Sequence, residues 1–337
     1  HRVASDRTVI HYDAPAGACG VTLQTRMGRE QVAVRLTPEA PRKKQVLLNR
    51  KPVPRLSDMM GRLQCVIFSP EDLGLVREGP AFRRRFLDMM LSQMVPGYFT
   101  ALQAVNHALK QRNALFMTYK LTGRLDKGLI TSLDDAMKEP SLLMMDARQK
   151  MVEQLNRYAS EIYLRLSGRK EETLAVSYTP SAHRENYDQR KEESLEEDFL
   201  RKATTFGVHR EDMDLLLSGR PLQGTASQGQ VRTVVLALKL GQLHLFRETS
   251  GEFPVLLLDD VMSELDMTRR SALLEEISGV QTFVTCTDFS DIGERPDLRT
   301  YLVTIASGEG KVEEFHMGAT LPESPREIFP WEVPDHP

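Results

Sequence analysis

The segment Pro254 to Asp266, PVLLLDDVMSELD, holds the residues whose types and spacing point most directly to chemistry. Val255 to Leu258 form an uninterrupted apolar run that reads as a buried parallel strand, and Asp259 and Asp260 fall where it ends. Ligands of open α/β sheets bind at that edge. Two adjacent carboxylates there suit a hydrolytic nucleotide site. The first, Asp259, would hold a Mg2+ shell, and the second, Asp260, would orient or deprotonate an attacking water. The alternative is a strand followed by an aspartate that caps the next helix.

A second candidate is Ala226-Ser227-Gln228-Gly229-Gln230, followed by a stripe of Val231, Val234, Val235 and Leu238. A serine cap and a glycine in the first turn leave free N–H groups and the positive end of the helix dipole pointing outward, which makes an anion site. An ordinary helix cap explains the serine equally well.

These residues need a scaffold, and the rest of the chain supplies one. Residues 20 to 56 alternate apolar and polar in short runs split by Gly28, Pro38 and Asn49-Arg50-Lys51, as in an antiparallel meander. Cys65 to Phe68 reads as another strand, stopped by Ser69-Pro70. From Ala81 the period becomes helical, with Phe82, Phe86, Leu87 and Met90 on one arc, and a second long helix carries Met151, Leu155, Tyr158, Ile162 and Leu166. The charged run Arg184 to Glu197 reads as a solvated linker or helix face. After Phe206 helices alternate with apolar strands again, ending on Thr282 to Thr285.

Bulk properties narrow the class. Nothing approaches a membrane span of roughly 20 apolar residues or a secretory h-region, so the expected compartment is the cytosol. Cys19, Cys65 and Cys286 lack the spacing of zinc sites or disulfide frameworks. The formal net charge of -3 means that any nucleic acid must be held by local clusters or by a surface built on dimerisation. Arg83, Arg84 and Arg85 are consecutive on a helix and cannot form one patch; Arg83 falls on the apolar arc and should pair with a carboxylate or close a lobe interface, whereas Arg84 and Arg85 could reach phosphate or solvent and are the candidate DNA contacts. Arg42-Lys43-Lys44 lies in a turn and reads as a solubility feature, and His209 either touches nucleotide or a partner or is a satisfied histidine in a polar turn.

In order along the chain, the capped SQGQ helix, the VLLLDD strand and SELD resemble the signature helix, Walker B strand and D-loop of ABC-type, SMC-like ATPases. Within that superfamily, Phe68-Ser69-Pro70-Glu71-Asp72-Leu73, Arg83 to Asp88 (RRRFLD) and Lys110-Gln111-Arg112-Asn113 resemble blocks of the RecF family. Gly207 to Asp212, GVHRED, resembles its GPHRDD block, with Val208 for proline and Glu211 for the first aspartate. The similarity spans Asn49 to about Thr287.

That resemblance implies an α/β fold: an ABC-type ATPase head, a mixed sheet with helices, with an inserted mostly helical lobe. The expected parts are a β-rich segment over 1–78, a helical lobe over 79–202, and a segment with signature, Walker B and D-loop over 203–337. It further implies ATP bound between head-to-tail protomers, contacted by Ser227, Gln228, Gly229 and Gln230 and by the D-loop residues Ser263 and Asp266. Asp259 would then organise Mg2+ and Asp260 would serve the water. Gln64 and Glu71 are both candidates for the Q-loop residue, and Gln281 to Asp288 takes the switch-strand place. The implied role is in DNA recombination, replication and repair and the SOS response, at single-stranded, gapped or double-stranded junction DNA. RecR, RecO and RecA are the implied partners.

No GxxxxGK[ST] run occurs in these 337 residues; the only Gly-Lys step is Gly310-Lys311, with Ile305 where the first glycine should stand. The expectation is a partial gene product, with a strand hairpin, P-loop and helix of about forty residues ahead of His1. A P-loop-less interaction module that binds DNA or RecR without turnover is the competing reading. A nuclease or other metal hydrolase built on Asp259-Asp260 lacks further His and carboxylate ligands nearby.

Overall fold

The computed structural model describes residues 6–11, 13–26, 28–38, 44–124, 126–286, 299–306 and 309–315. They fall into two compact units, one comprising His1–Val261 with Leu265–Thr285, the other Met262–Glu264 with Cys286–Pro337.

The first unit opens with the expected meander: β1 (Gly17–Thr25), β2 (Gly28–Leu36), β3 (Lys44–Leu48) and β4 (Lys51–Pro52), all antiparallel. Asn49 and Arg50 both take positive φ, 49° and 66°, which is the backbone twist a two-residue hairpin between β3 and β4 requires. β5 (Cys65–Phe68) runs into Ser69 and a 3-10 turn, Pro70–Leu73, as the proline predicts.

Four helices follow: α1 (Gly74–Arg77), α2 (Pro80–Met94), α3 (Tyr98–Thr122) and α4 (Lys127–Ser167). The last spans 41 residues, about 60 Å, and passes through Pro140 without ending. Next, β6 (Leu174–Thr179) leads to α5 (Tyr187–Arg201), β7 (Asp212–Leu217) and the two-residue β8 (Arg220–Pro221). β6 lies inside the stretch expected to be mostly helical, and it pairs antiparallel with β7 from Leu174 against Leu217 to Thr179 against Asp212. Its alternating burial, Leu174 and Val176 in, Ala175 and Ser177 out, is what a half-covered strand requires.

α6 (Gln228–Ser250), β9 (Val255–Asp259), α7 (Met267–Glu276) and β10 (Thr282–Thr285) complete the unit. β9 is the central strand of a parallel three-stranded sheet in the order β10-β9-β5. In the apolar run, Leu256 and Leu258 are buried on one face, and Val255 and Leu257 are half-buried on the other. α6 is buried around much of its circumference, with Val234, Val235, Leu236, Ala237 and Leu238 fully inaccessible. In the second unit, β11 (Thr300–Ala306) and β12 (Glu309–Phe315) form a hairpin. Gly310 and Lys311 are inside β12, paired with Ile305 and Thr304, so that Gly-Lys step is a strand and not a phosphate loop.

α6 packs against α4 at Gly241. A Cβ there would stand 3.2 Å from Leu155 Cδ1 and 3.3 Å from the backbone nitrogen of Ala159. Leu155 can turn aside, but the backbone cannot. Gly241→Val should therefore destabilise the protein by about 1–3 kcal/mol through overpacking, read as a lower urea midpoint at unchanged slope.

Arg83, on the apolar arc of α2, is buried and grips Asp212 with two hydrogen bonds of 2.7 Å, as its position on the arc predicts. Deeper in the helical part, Arg112 pairs with Asp134 and Asp198, each at 2.6 Å, and so ties α3 to α4 and α5. Arg148 is held by Asp88, Tyr98, Glu211 and the Val208 carbonyl. Charges this deep are tolerated only when every one is matched.

Candidate functional site

Asp259 is the last residue of β9, at the carboxyl edge of the parallel sheet. Its Oδ1 accepts a hydrogen bond of 2.8 Å from the Thr285 hydroxyl at the end of β10. The Asp260 N–H donates to the same hydroxyl, at 3.1 Å, and to the Thr285 carbonyl, at 3.2 Å. Thr285 thus fixes both aspartates at once. Asp260 has φ of 55°, a left-handed conformation that aspartate tolerates better than most residues and that turns the chain sharply off the strand.

β5 ends at the same edge, since Phe68 stands opposite Leu258. The Ser69–Leu73 turn therefore emerges beside the aspartate edge, and Glu71 with it. Gln64 lies at the opposite end, where its carbonyl accepts from the Val255 N–H. Of the two Q-loop candidates, only Glu71 is at the carboxyl edge. The turn is clamped from below. Lys239 of α6 donates to the Ile67 carbonyl at 2.8 Å and pairs with Asp72 at 2.7 Å, and Asp72 in turn accepts from the Ser69 N–H. Burial pushes the Lys239 ammonium below its usual range, and Asp72 opposes that shift.

Ser227 caps α6 in a reciprocal box: its hydroxyl accepts from Gln230 N–H at 3.2 Å and the Gln230 side chain accepts from Ser227 N–H at 2.8 Å. Gln230 also donates to Glu172 at 3.0 Å, and Glu172 accepts from Arg169 and Tyr163. Burial alone would raise the Glu172 carboxyl, but these three donors hold it below the usual range. Ser227 and Gln228 are exposed, whereas Gly229 and Gln230 are half-buried. The closest atom to a Cβ added at Gly229 would be Arg269 Nη2, 4.0 Å away. Arg269 pairs with Asp266, whose carboxylate accepts from Arg269 N–H and caps α7. The signature-like helix start and Asp266 are thereby brought together through one guanidinium. Ser227 lies twelve residues ahead of Lys239 along α6, so it stands about 18 Å along the axis from the end of β5. Ser263 is exposed in the Met262–Glu264 turn of the second unit.

Arg84 is half-buried and donates to the Glu211 carbonyl at 2.7 Å, while Arg85 is exposed. His209 hydrogen-bonds the Thr204 carbonyl, and burial pushes it down to about 4, so it is neutral at physiological pH. Among the described residues no cluster of His, Cys, Asp and Glu forms a ready metal cage. Arg42, Lys43, Thr287 and Asp288 lie outside the described residues. Sequence reasoning missed the roles of Thr285, Glu172, Arg269 and Lys239, whose partners are distant in the chain. The nearest signal was the placement of Thr285 in a strand expected to follow the aspartates.

No family model matches the chain. Over 305 residues it is 36% identical to the DNA replication and repair protein RecF of Acetivibrio thermocellus, covering 86% of this chain and 80% of the relative. Over 304 residues it is 38% identical to the protein of that name from Halalkalibacterium halodurans, covering 87% and 80%. A solved RecF-ATP structure, described as the recombination mediator protein in the RecFOR pathway, superimposes with a TM-score of 0.79 at 28% identity, covering 94% of this chain and 84% of that one. Identity at this level, sustained over most of both chains and joined to the same head fold, shows that the chain belongs to the RecF family of DNA replication and repair proteins.

Proposed function

We propose that this chain supplies the signature and Walker B faces of an ATP-dependent DNA clamp in recombinational repair. Two protomers would meet head to tail over ATP, hold gapped or junction DNA, and act in the cytosol with RecR and RecO to assist RecA loading. One observation carries the reading. Ser227 and Gln228 present an exposed, capped helix start, with Gly229 half-buried behind them and the Arg269 guanidinium nearby, remote along α6 from the sheet edge that holds Asp259. A phosphate approaching that helix start must come from outside the protomer, which is what a nucleotide shared between two chains requires. ATP in a solved family structure supports it.

The donor set fits the nucleotide and its ion. Asp259 is an oriented carboxylate on a rigid strand end, suited to one or two places in a Mg2+ shell otherwise filled by water and phosphate oxygens. Bound Mg2+ would neutralise charge developing on the phosphates. Asp260, turned off the strand by its left-handed backbone, would hold and polarise the attacking water. Glu71 is the third carboxylate at that edge, and the Lys239–Asp72 clamp fixes the turn that carries it.

In a form of the chain extended by a P-loop segment, Asp260→Asn should keep ATP-dependent dimers and slow their decay by at least tenfold. Charge at Asp259 survives while activation of water is weakened. Sedimentation after an ATP chase reads the decay, and a rate equal to the parent's would remove Asp260 from that role. A second reading, an interaction module without turnover, is favoured by the strand conformation of Gly310-Lys311.

A further inference from the structure

A cleft of about 620 Å3 lies apart from the nucleotide face. It opens between the Met59–Leu63 stretch, α2 and the start of α3. Its walls are apolar and partly uncovered: Leu63 and Met89 are 36% and 48% exposed, and Met60, Phe99 and Leu102 are half-buried. Three arginines line the cleft, and with Arg148 bound to Asp88 and Glu211, Arg84 and Arg85 remain. Arg85 is exposed and makes no ion pair with another described residue. Arg84 is half-buried and donates to a backbone carbonyl, with no carboxylate hydrogen-bonded to it. Burial, and then the neighbouring Arg148, pull its pKa below the usual value, with Asp212 and Asp88 opposing the shift. The one carboxylate that lines the cleft, Asp88, is already committed to Arg148 and Tyr98.

A recess with unspent positive charge and adaptable methionine and aromatic walls has a definite complement. We infer that this cleft docks an acidic peptide segment of a partner protein, its carboxylates on Arg84 and Arg85 and a large apolar side chain between Met89, Leu63 and Phe99. Methionine walls accommodate varied apolar shapes, and a carboxylate can take two parallel bonds from one guanidinium. Nucleic acid fits less well. A phosphate backbone follows a row of accessible cations, whereas here Arg84 and Arg85 are set among exposed apolar side chains that phosphate would leave wet, and Phe99 and the half-buried His209 are the aromatic rings at hand for stacking. The inference is independent of the nucleotide site, since no residue of that site lines the cleft.

Fluorescence anisotropy on the chain as it stands tests it with a labelled peptide of alternating glutamate and leucine bearing one central phenylalanine. Its lysine-for-glutamate and serine-for-leucine versions and a single-stranded DNA oligomer serve as comparisons. The acidic, apolar peptide should bind with a Kd on the order of tens of micromolar. Arg85→Glu should weaken it at least tenfold and Met89→Gln severalfold; both side chains are exposed, so the fold is retained. The lysine version should not bind, and the serine version should bind several times more weakly. No binding of the acidic peptide at about millimolar concentration, or equal binding to the parent and Arg85→Glu, would overturn the inference. So would DNA binding that is lost in Arg85→Glu, unchanged in Met89→Gln and not displaced by the peptide, which would assign the cleft to nucleic acid.

Discussion

Arg148→Met should lower the free energy of unfolding by about 3–5 kcal/mol. Arg148 is 1% exposed and makes four hydrogen bonds: to Asp88 at 2.8 Å, Tyr98 at 3.0 Å, Glu211 at 2.8 Å and the Val208 carbonyl at 2.7 Å. Burial opposes its charge, yet the surrounding acids and phenols hold its pKa well above the ordinary value. Methionine fills a similar volume but leaves Glu211, itself 2% exposed, without its cation. The network joins α2, α3, α4 and β6, because Glu211 also accepts from Tyr178 and from the Ser181 N–H and hydroxyl. Adding Glu211→Gln should recover more than about 1 kcal/mol, since the orphaned charge is then gone. Urea unfolding of the single and double variants measures both. A loss below about 1 kcal/mol in the single variant would mean that water or a neighbouring donor replaces the guanidinium at Glu211.

Ser227→Arg should abolish ATP-dependent dimerisation in a P-loop-bearing form of the chain while leaving the monomer folded. Ser227 is exposed and the buried stripe of α6 begins only at Val231. The local loss is one cap, worth about 1 kcal/mol. At the interface the effect is far larger. A long side chain would fill the space that the partner's γ-phosphate must enter, and a second guanidinium would sit near Arg269, which already lies 4.0 Å from where a Gly229 Cβ would be. DNA retention should fall with the dimer. A chain of net charge -3 offers separated basic clusters, and two chains clamped together would present them jointly. Light scattering with and without ATP, beside DNA anisotropy at fixed salt, reads both effects.

How much of this could be read from the sequence depends on the range of each interaction. The strand Val255 to Leu258 and the edge aspartates were legible because an apolar run that stops on two acids can be judged within a few residues. The cap on α6 was legible as well, since Ser227 and Gln230 have the spacing of a capping box. Arg83 could be assigned a carboxylate from its place on the arc, but not which one; Asp212 is 129 residues away. The contacts that give the site its shape are of this long-range kind. Thr285 reaches Asp259 across 26 residues and Gln230 reaches Glu172 across 58. Glu211, one residue of the GVHRED block, proved to be the buried partner of Arg148, a packing role that no local pattern signals. The first half of α4 carries Pro140, which the helix accommodates without ending. β6 was hidden because six residues of alternation are weak evidence until a partner strand covers one face.

A mixing experiment puts the central proposal, that this chain offers a signature face to a nucleotide held by another protomer, to the most direct test. The 337-residue chain, in which no GxxxxGK[ST] run occurs, is titrated with ATP into a P-loop-bearing form, and the mass of the mixed dimer is followed by light scattering. The mixed dimer has one complete site, built from the P-loop of the longer form and Ser227 of the shorter. Ser227→Arg in the shorter chain should therefore abolish the mixed dimer, and Ser227→Arg in the longer form should leave it nearly intact. Equal loss from either position, or no loss from either, would contradict the shared site and leave Ser227-Gln228-Gly229-Gln230 as an ordinary capped helix start.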